Sequence, residues 1–304
     1  MKIFVGLTDN NWYNYLCRLQ PDEVNFWQPT GRRTFRAIER NGLFLFKLHS
    51  PLDYIVGGGF FVRHSFLPVS LAWEAFGQKN GTPDFEDFIH AIHKYRKTDR
   101  FRDPDPVIGC IILASPFFFP QHQWIPAPED WKPNIVQGKT YDTEQLLGRR
   151  LYESVIERLP RSEYVHEQSE SRYGSEYLAR PRIGQGSFRV LVTEAYQRRC
   201  AITGEKTLPV LDAAHIKPYA QDGPHLVSNG LLLRKDLHVL FDRGYLTIDE
   251  HYRIEVSRRL KDDYGNGRDY YALHGKPLAM LPERPEERPG RDYLRWHNEH
   301  VFLA

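Results

Sequence analysis

Residues 211–247 read LDAAHIKPYAQDGPHLVSNGLLLRKDLHVLFDRGYLT, and this stretch decides the architecture of the second half of the chain. VLDAAHI at 210–216 is an apolar run of strand length that closes near His215. Lys217 to Ser228 forms a loop, marked by Pro218, Gly223 and Pro224. Asn229 opens a second short strand at Leu231–Leu233, and Lys235 to Arg243 has helical character. The expected order is strand, loop, strand, helix, a ββα arrangement.

The polar residues along this frame have chemical uses. Hydrolysis of a phosphodiester needs a base, a cation and a rigid frame that aligns them. His215 at a strand end is of the type that removes a proton from water near neutral pH. The Asn229 amide can hydrogen-bond the loop backbone and so fix the orientation of His215. His238 and Asp242 are four apart on the helix and share one face, a plausible divalent-metal pair. Asp212 lies three positions before His215, so alternation points it to the opposite side. It is a further ligand or a strand-end carboxylate. His225 in the loop reads as solvent-facing and is assigned no chemistry. Arg198, Arg199, Lys217, Arg234 and Lys235 flank the motif; together they are the candidates for phosphate contacts.

Outward from this stretch, a helix capped by Ser187 carries Phe188, Leu191, Val192, Ala195 and Tyr196. CAITG at 200–204 is a turn with Thr203 where a second zinc-binding Cys would stand, so no structural zinc is expected. YLTIDEHYRIEVS alternates as a hairpin, and a final helix is expected around Tyr293–His300.

The first half is different. Short strands are expected at Ile3–Val5, VNFWQP (24–29), LFLFKLH (43–49), YIVGGGFFV (54–62) and within PVIGCIILASPFFF (106–119). Helices are expected around Trp12–Leu16, at Thr34–Arg40, near Leu71–Phe76 and at Phe85–Lys97. Three glycines, Gly57 to Gly59, inside a strand pattern suggest a bulge or a close backbone approach. The pattern is α+β, a curved sheet or small barrel with helices. The expected organisation is a domain over 1–140, a helical connector and linker over 141–184, and a second domain over 185–304.

A chain of 304 residues is long for one core. Its net charge of only +2 excludes a bulk polycation, so nucleic-acid binding must use local patches. The three cysteines lie far apart and form no disulfide ladder. No apolar run is long enough for a bilayer and no signal peptide is evident, so a cytoplasmic location without membrane contact is expected.

His215, Asn229 and His238, with AAHI, SNGLLL and H-x-x-F-D-x-G, resemble the HNH nuclease motif on its ββα-metal fold, and are similar to a subfamily found at the C-terminus of bacterial restriction-type endonucleases. The resemblance spans about residues 187–300. It implies that His215 is the general base, that Asn229 positions it and that His238 binds a metal, with Mg²⁺ expected and Mn²⁺, Co²⁺ or Ni²⁺ as alternatives. Many members carry a metal ligand directly before the base; here that residue is Ala214, so Asp242 or Asp212 is expected to replace it.

VNFWQP, the Asn41-Gly42 turn into LFLFKLH and the glycine-bulged YIVGGGFFV resemble the PUA-like superfamily, including EVE, ASCH and SRA domains, over about residues 1–140. That resemblance implies a pocket for a single flipped base, for which Trp27, Gln28 and Trp73 are the candidate lining residues. Together the two resemblances imply a modification-dependent endonuclease acting on double-stranded DNA, with a modified cytosine as the base and a homodimer as the cutting form. The alternatives are an HNH nuclease reading unmodified DNA or RNA, and a non-catalytic reader of modified bases.

Overall fold

The computed structural model describes residues 1–159 and 183–304; the linker expected over 160–182 lies outside the described residues. The chain divides into a first unit, Met1–Gly184, and a second, Gln185–Ala304.

The first unit contains β1 (Lys2–Thr8), α1 (Asn10–Leu19), β2 (Glu23–Gln28), β3 (Leu43–Leu48), β4 (Tyr54–Pro68), α2 (Val69–Phe76), α3 (Phe85–Arg96), β5 (Val107–Phe118), β6 (Ile125–Pro126), β7 (Gly138–Asp142) and α4 (Leu146–Ile156). Its sheet has the order β2-β5-β4-β3-β1-β7, with β6 paired to β4. Only β1 and β3 pair in parallel among the described strands. The long strand β4 slips register against β5 between Gly58 and Phe60 and again between Phe61 and Arg63. Such irregularities bend a sheet.

LFLFKL in β3 is unbroken by polar alternation because both faces of the sheet are covered. Leu43 and Leu45 pack with Ile3, Val5 and the α4 residues Leu151 and Val155. Phe44 and Phe46 face the other way, into a cluster with Trp12, Tyr13 and Leu16 of α1. Lys47 is fully buried in this run; its Nζ donates to the Leu48 carbonyl and pairs with Asp53. That pairing offsets the cost of burying the charge.

Two expectations for this part are corrected. Residues 34–40 are not helical: Phe35 packs against Phe4, Phe44 and Phe61, and Ile38 is buried, so the chain follows the aromatic cluster rather than a helical repeat. The segment 141–156 is not a connector, because β7 pairs with β1 and α4 is part of the first core. PVIGCIILASPFFF, expected to give one or two strands, forms one.

The second unit contains α5 (Gln185–Ala195), β8 (Leu211–His215), β9 (Gly230–Arg234), α6 (Lys235–Asp242), β10 (Leu246–Ile248), β11 (Ile254–Val256), α7 (Arg259–Tyr264), α8 (Arg268–Tyr271) and α9 (Arg291–His300). β8 and β9 form an antiparallel hairpin in which His215 faces Gly230. Ser187 is buried inside α5 rather than capping it. α5 reaches the hairpin closely: a Cβ at Gly230 would stand 2.5 Å from Val192 Cγ2, and Tyr196 Oη donates to the Gly230 carbonyl at 3.2 Å. Phe188, Val192 and Tyr196 share a core with Leu231, Leu233, Leu237 and Phe241. Around Cys200 the chain folds back on itself, Gly204 N donating to the Cys200 carbonyl at 2.9 Å, and the buried Sγ accepts from Arg234 N at 3.4 Å.

α9 locks the end of α6. His297 is buried, its Nε2 donates to the Phe241 carbonyl at 3.1 Å, and its Nδ1 lies 2.8 Å from Thr247 Oγ1. A carbonyl only accepts, so Nδ1 takes the Thr247 hydroxyl proton. Beyond α9 the chain runs against the turn that ends α6. Leu303 N donates to the Gly244 carbonyl at 2.9 Å, and Ser257 Oγ donates to the Leu303 carbonyl. Gly244 has φ 75°, and a Cβ there would lie 2.0 Å from the Val301 carbonyl oxygen. Only glycine fits that crossing.

Candidate active site

The hairpin delivers His215 at the end of β8, and α5 supports it from below. The imidazole lies flat on Phe188, centroids 3.8 Å apart with 13° between the planes. Burial and the nearby imidazoles of His225 and His238 push its pKa down to about 4. The ring is therefore neutral near pH 7 and able to accept a proton.

Asn229 is fully buried before β9. Its Oδ1 accepts from Lys217 N at 2.9 Å, and its Nδ2 donates to the carbonyls of Lys217 and Pro224 at 2.9 and 3.0 Å. The Asn229 carbonyl accepts from Ile216 N at 2.9 Å. The amide thus ties both ends of the loop that leaves His215. It acts on the backbone that carries the imidazole.

His238 on α6 stands between two carboxylates. Its Nδ1 is 3.2 Å from Asp212 Oδ2, and its Nε2 is 3.2 Å from Asp242 Oδ2. Arg189 of α5 reaches Asp212 from the other side at 3.6 Å. Burial opposes a charge on His238, yet the hydrogen bond to Asp212 and the charge of Asp242 outweigh it and raise its pKa. Burial would also raise Asp212, but the His238 hydrogen bond and the Arg189 charge hold it below the usual carboxylate range. Asp242 is raised by burial and by Asp212, against the pull of His238.

Asp212, His238 and Asp242 are the expected metal ligands. The two nitrogens of one imidazole point to opposite sides, so the two carboxylates do not converge on one point. Among the described residues no three His, Cys, Asp or Glu side chains form a closed metal cluster. What the residues do offer is one imidazole nitrogen beside one ionised carboxylate oxygen. Such a partial set fits a Mg²⁺-like ion, which keeps several waters and takes its remaining ligands from substrate phosphate.

Of the five cationic candidates for phosphate, Arg198 is paired with Glu194 at 2.7 Å and Arg234 with Asp236 at 2.6 Å. Lys217 lies beside the Asn229 anchor with its Nζ 5.7 Å from the Trp296 ring centroid. Arg199 is partly buried and Lys235 exposed.

His225 requires a correction: it is not a solvent-facing bystander. Its Nδ1 lies 2.9 Å from His215 Nε2, and its ring stacks on Tyr219 at 4.6 Å and 7°. Phe188 and Arg189 are site residues that the sequence does not announce. Both come from a helix more than twenty positions upstream, and no local spacing announces the contact. His225 had a signal in its position between Pro224 and the Asn229 anchor.

In the first unit a cleft of about 380 Å³ is lined by Trp27, Gln28, Asp9, Arg33, His49 and Tyr95, among others. Trp27 is held by its Nε1 donating to the Asn80 carbonyl at 2.9 Å. Asp9 caps α1, accepting from Asn11 N and Trp12 N at 2.8 and 3.1 Å, and takes the Tyr95 hydroxyl at 2.7 Å. Trp73 does not line this cleft; it packs against Phe85 and Phe88.

A hairpin and helix that present a neutral histidine, a loop-tying asparagine and an imidazole between carboxylates define a ββα unit of the HNH type. Residues 200–249 match the family model described as HNH endonuclease, so the second unit carries an HNH endonuclease segment. No curated protein matches the chain. Among solved structures, a mutant of the ASCH protein ZmASCH from Zymomonas mobilis is 10% identical with a TM-score of 0.33, over 50% of this chain and 98% of that one. A structure described as the modification-dependent TagI restriction endonuclease is 15% identical with a TM-score of 0.28, over 92% of this chain and 75% of that one. Among the described residues no helix is long and apolar enough to cross a membrane.

Proposed function

We propose that this protein is a modification-dependent DNA endonuclease. The nuclease reading is carried by one observation: a neutral His215, backed by Phe188 and followed by a loop tied by Asn229, shares β8 with Asp212, which pairs with His238 of α6. His215 takes a proton from water, and the water oxygen forms a bond to phosphorus while the bond to the leaving oxygen breaks. The leaving oxygen is protonated by solvent. Asn229 keeps the loop, and with it His215, in place during the attack. His238 and Asp212 would hold a divalent cation, which stabilises charge on the phosphate and leaving oxygen. Asp212 is the favoured partner because it is ionised and shares β8 with the base.

The first unit supplies the substrate choice in this reading. Its cleft combines the indole of Trp27 with the polar groups of Gln28, Asp9 and Arg33. An aromatic face can stack a base taken out of the duplex, while a few polar groups read its edge. Asp9 offers an acceptor of the kind that suits the exocyclic amine of cytosine, so a modified cytosine is the proposed base. One such centre cuts one strand, so a homodimer is the proposed form for double-strand breaks.

Cleavage of matched plasmids with and without modified cytosine, each with Mg²⁺ and with chelator, tests this. The expected result is cutting of modified DNA in Mg²⁺ only. Equal cutting of both plasmids removes the modification reading and leaves the nuclease. No cutting in any arm removes both.

A further inference from the structure

The two ring nitrogens of His215 have different surroundings. Nε2 lies 2.9 Å from Nδ1 of His225. Among the described residues no hydrogen bond engages His215 Nδ1, and that atom is not sealed from solvent. Two imidazole nitrogens at this separation share one proton. If His215 donates, its Nδ1 carries a lone pair. If His225 donates, His215 Nδ1 carries the proton and cannot act as a base there.

The partner is itself held. Tyr219 stacks on the His225 ring. The preceding carbonyl, that of Pro224, accepts from Asn229 Nδ2 at 3.0 Å and from Leu226 N at 2.9 Å. The loop therefore presents this imidazole to His215 from a fixed backbone.

We propose that His225 is a positioning residue: its Nδ1 accepts the Nε2 proton of His215 and leaves His215 Nδ1 as the basic atom. The consequence for cleavage rests on the nuclease reading above; the tautomer does not. In the hydrolytic step the water proton moves to His215 Nδ1. The water oxygen bonds to phosphorus as the leaving oxygen departs and takes a proton from solvent. The resulting imidazolium keeps its Nε2 proton on His225 Nδ1, which spreads part of the new charge. A fixed tautomer is a known requirement of a histidine base oriented by a third group.

The test uses the full chain with ¹⁵N-labelled histidine at about pH 7.5, where nitrogen-to-ring-proton correlations report each tautomer. His215 is expected as the Nε2–H form. His225→Leu removes the acceptor, and His225→Asn restores an oxygen near the place of Nδ1. In His225→Leu the His215 signals should shift toward a tautomer mixture, and kcat should fall at least about tenfold, within the reach of general-base effects. KM for DNA and the Mg²⁺ requirement should not change. His225→Asn should recover most of the loss, and unfolding temperatures identify any variant that fails to fold. A wild-type His215 in the Nδ1–H form overturns the proposal, as does a His225→Leu variant with unaltered tautomer and kcat. If the wild type cuts no DNA but the tautomer depends on His225, the nuclease reading fails and the positioning role stands.

Discussion

At His238 one imidazole bridges two carboxylates, and this makes its proton hard to remove. A metal must displace that proton to bind. His238 has a raised pKa, so below a pH somewhat above 6.5 the proton competes with the cation. His215 behaves oppositely: its pKa is lowered to about 4, so it stays unprotonated as pH falls from 7 toward 4. The acid limb of activity should therefore lie above pH 6.5 when Mg²⁺ is limiting and move toward 4 when Mg²⁺ saturates. One acid limb at all Mg²⁺ concentrations would refute this. His215→Ala should lower kcat by about 10²-fold or more with DNA binding retained, measured by single-turnover cleavage and a gel shift. Asp212→Asn should raise the Mg²⁺ concentration for half-maximal cutting more than Asp242→Asn does; the reverse order would move the ion to the other ring nitrogen.

The elements show why these residues meet. Asn229→Ala would strand three backbone groups of the 217–229 loop. A loss of about 2–4 kcal/mol of unfolding free energy is expected, together with loss of cutting. His297 of α9, packed against α6 and Thr247, has a pKa lowered to about 4 by burial, against the Phe241 carbonyl. Its unfolded value is about 6.5, so the unfolded chain binds the proton more readily. Its stabilisation is complete above pH 6.5 and is lost as pH falls toward 4, about 3 kcal/mol in all. Denaturant melts of wild type and His297→Gln across that range should show the wild type losing the greater stability.

How much of this was legible varies with distance along the chain. The β8–loop–β9–α6 order could be read because Pro218, Gly223, Pro224 and the apolar runs are local marks. His238 and Asp242 touch as their one-turn spacing requires. The Asp212–His238 contact could not be derived from strand alternation, because the packing of α6 on β8 decides it. Phe188, Arg189 and His225 depend on where α5 and a loop come to rest. The helix expected at 34–40 gave way to Phe35, whose ring partners lie on β1, β3 and β4, and to the buried Ile38.

Across the whole molecule the proposed division of labour puts recognition in one unit and hydrolysis in the other. Trp27→Ala should weaken binding of modified DNA by about 1–3 kcal/mol, the range for one base on an aromatic face. Mg²⁺-dependent cutting of modified DNA at saturating concentration should be unchanged, which locates the defect in recognition. A Trp73→Ala variant is expected to lose stability instead, since its ring packs on Phe85 and Phe88. Residues 301–303 have a different reach. Leu303 and Val301 brace the glycine that ends the helix bearing His238 and Asp242. A chain truncated before Val301 would then leave the polar cluster chemically intact but unclamped, and under the proposed function Mg²⁺ binding should weaken before the fold is lost.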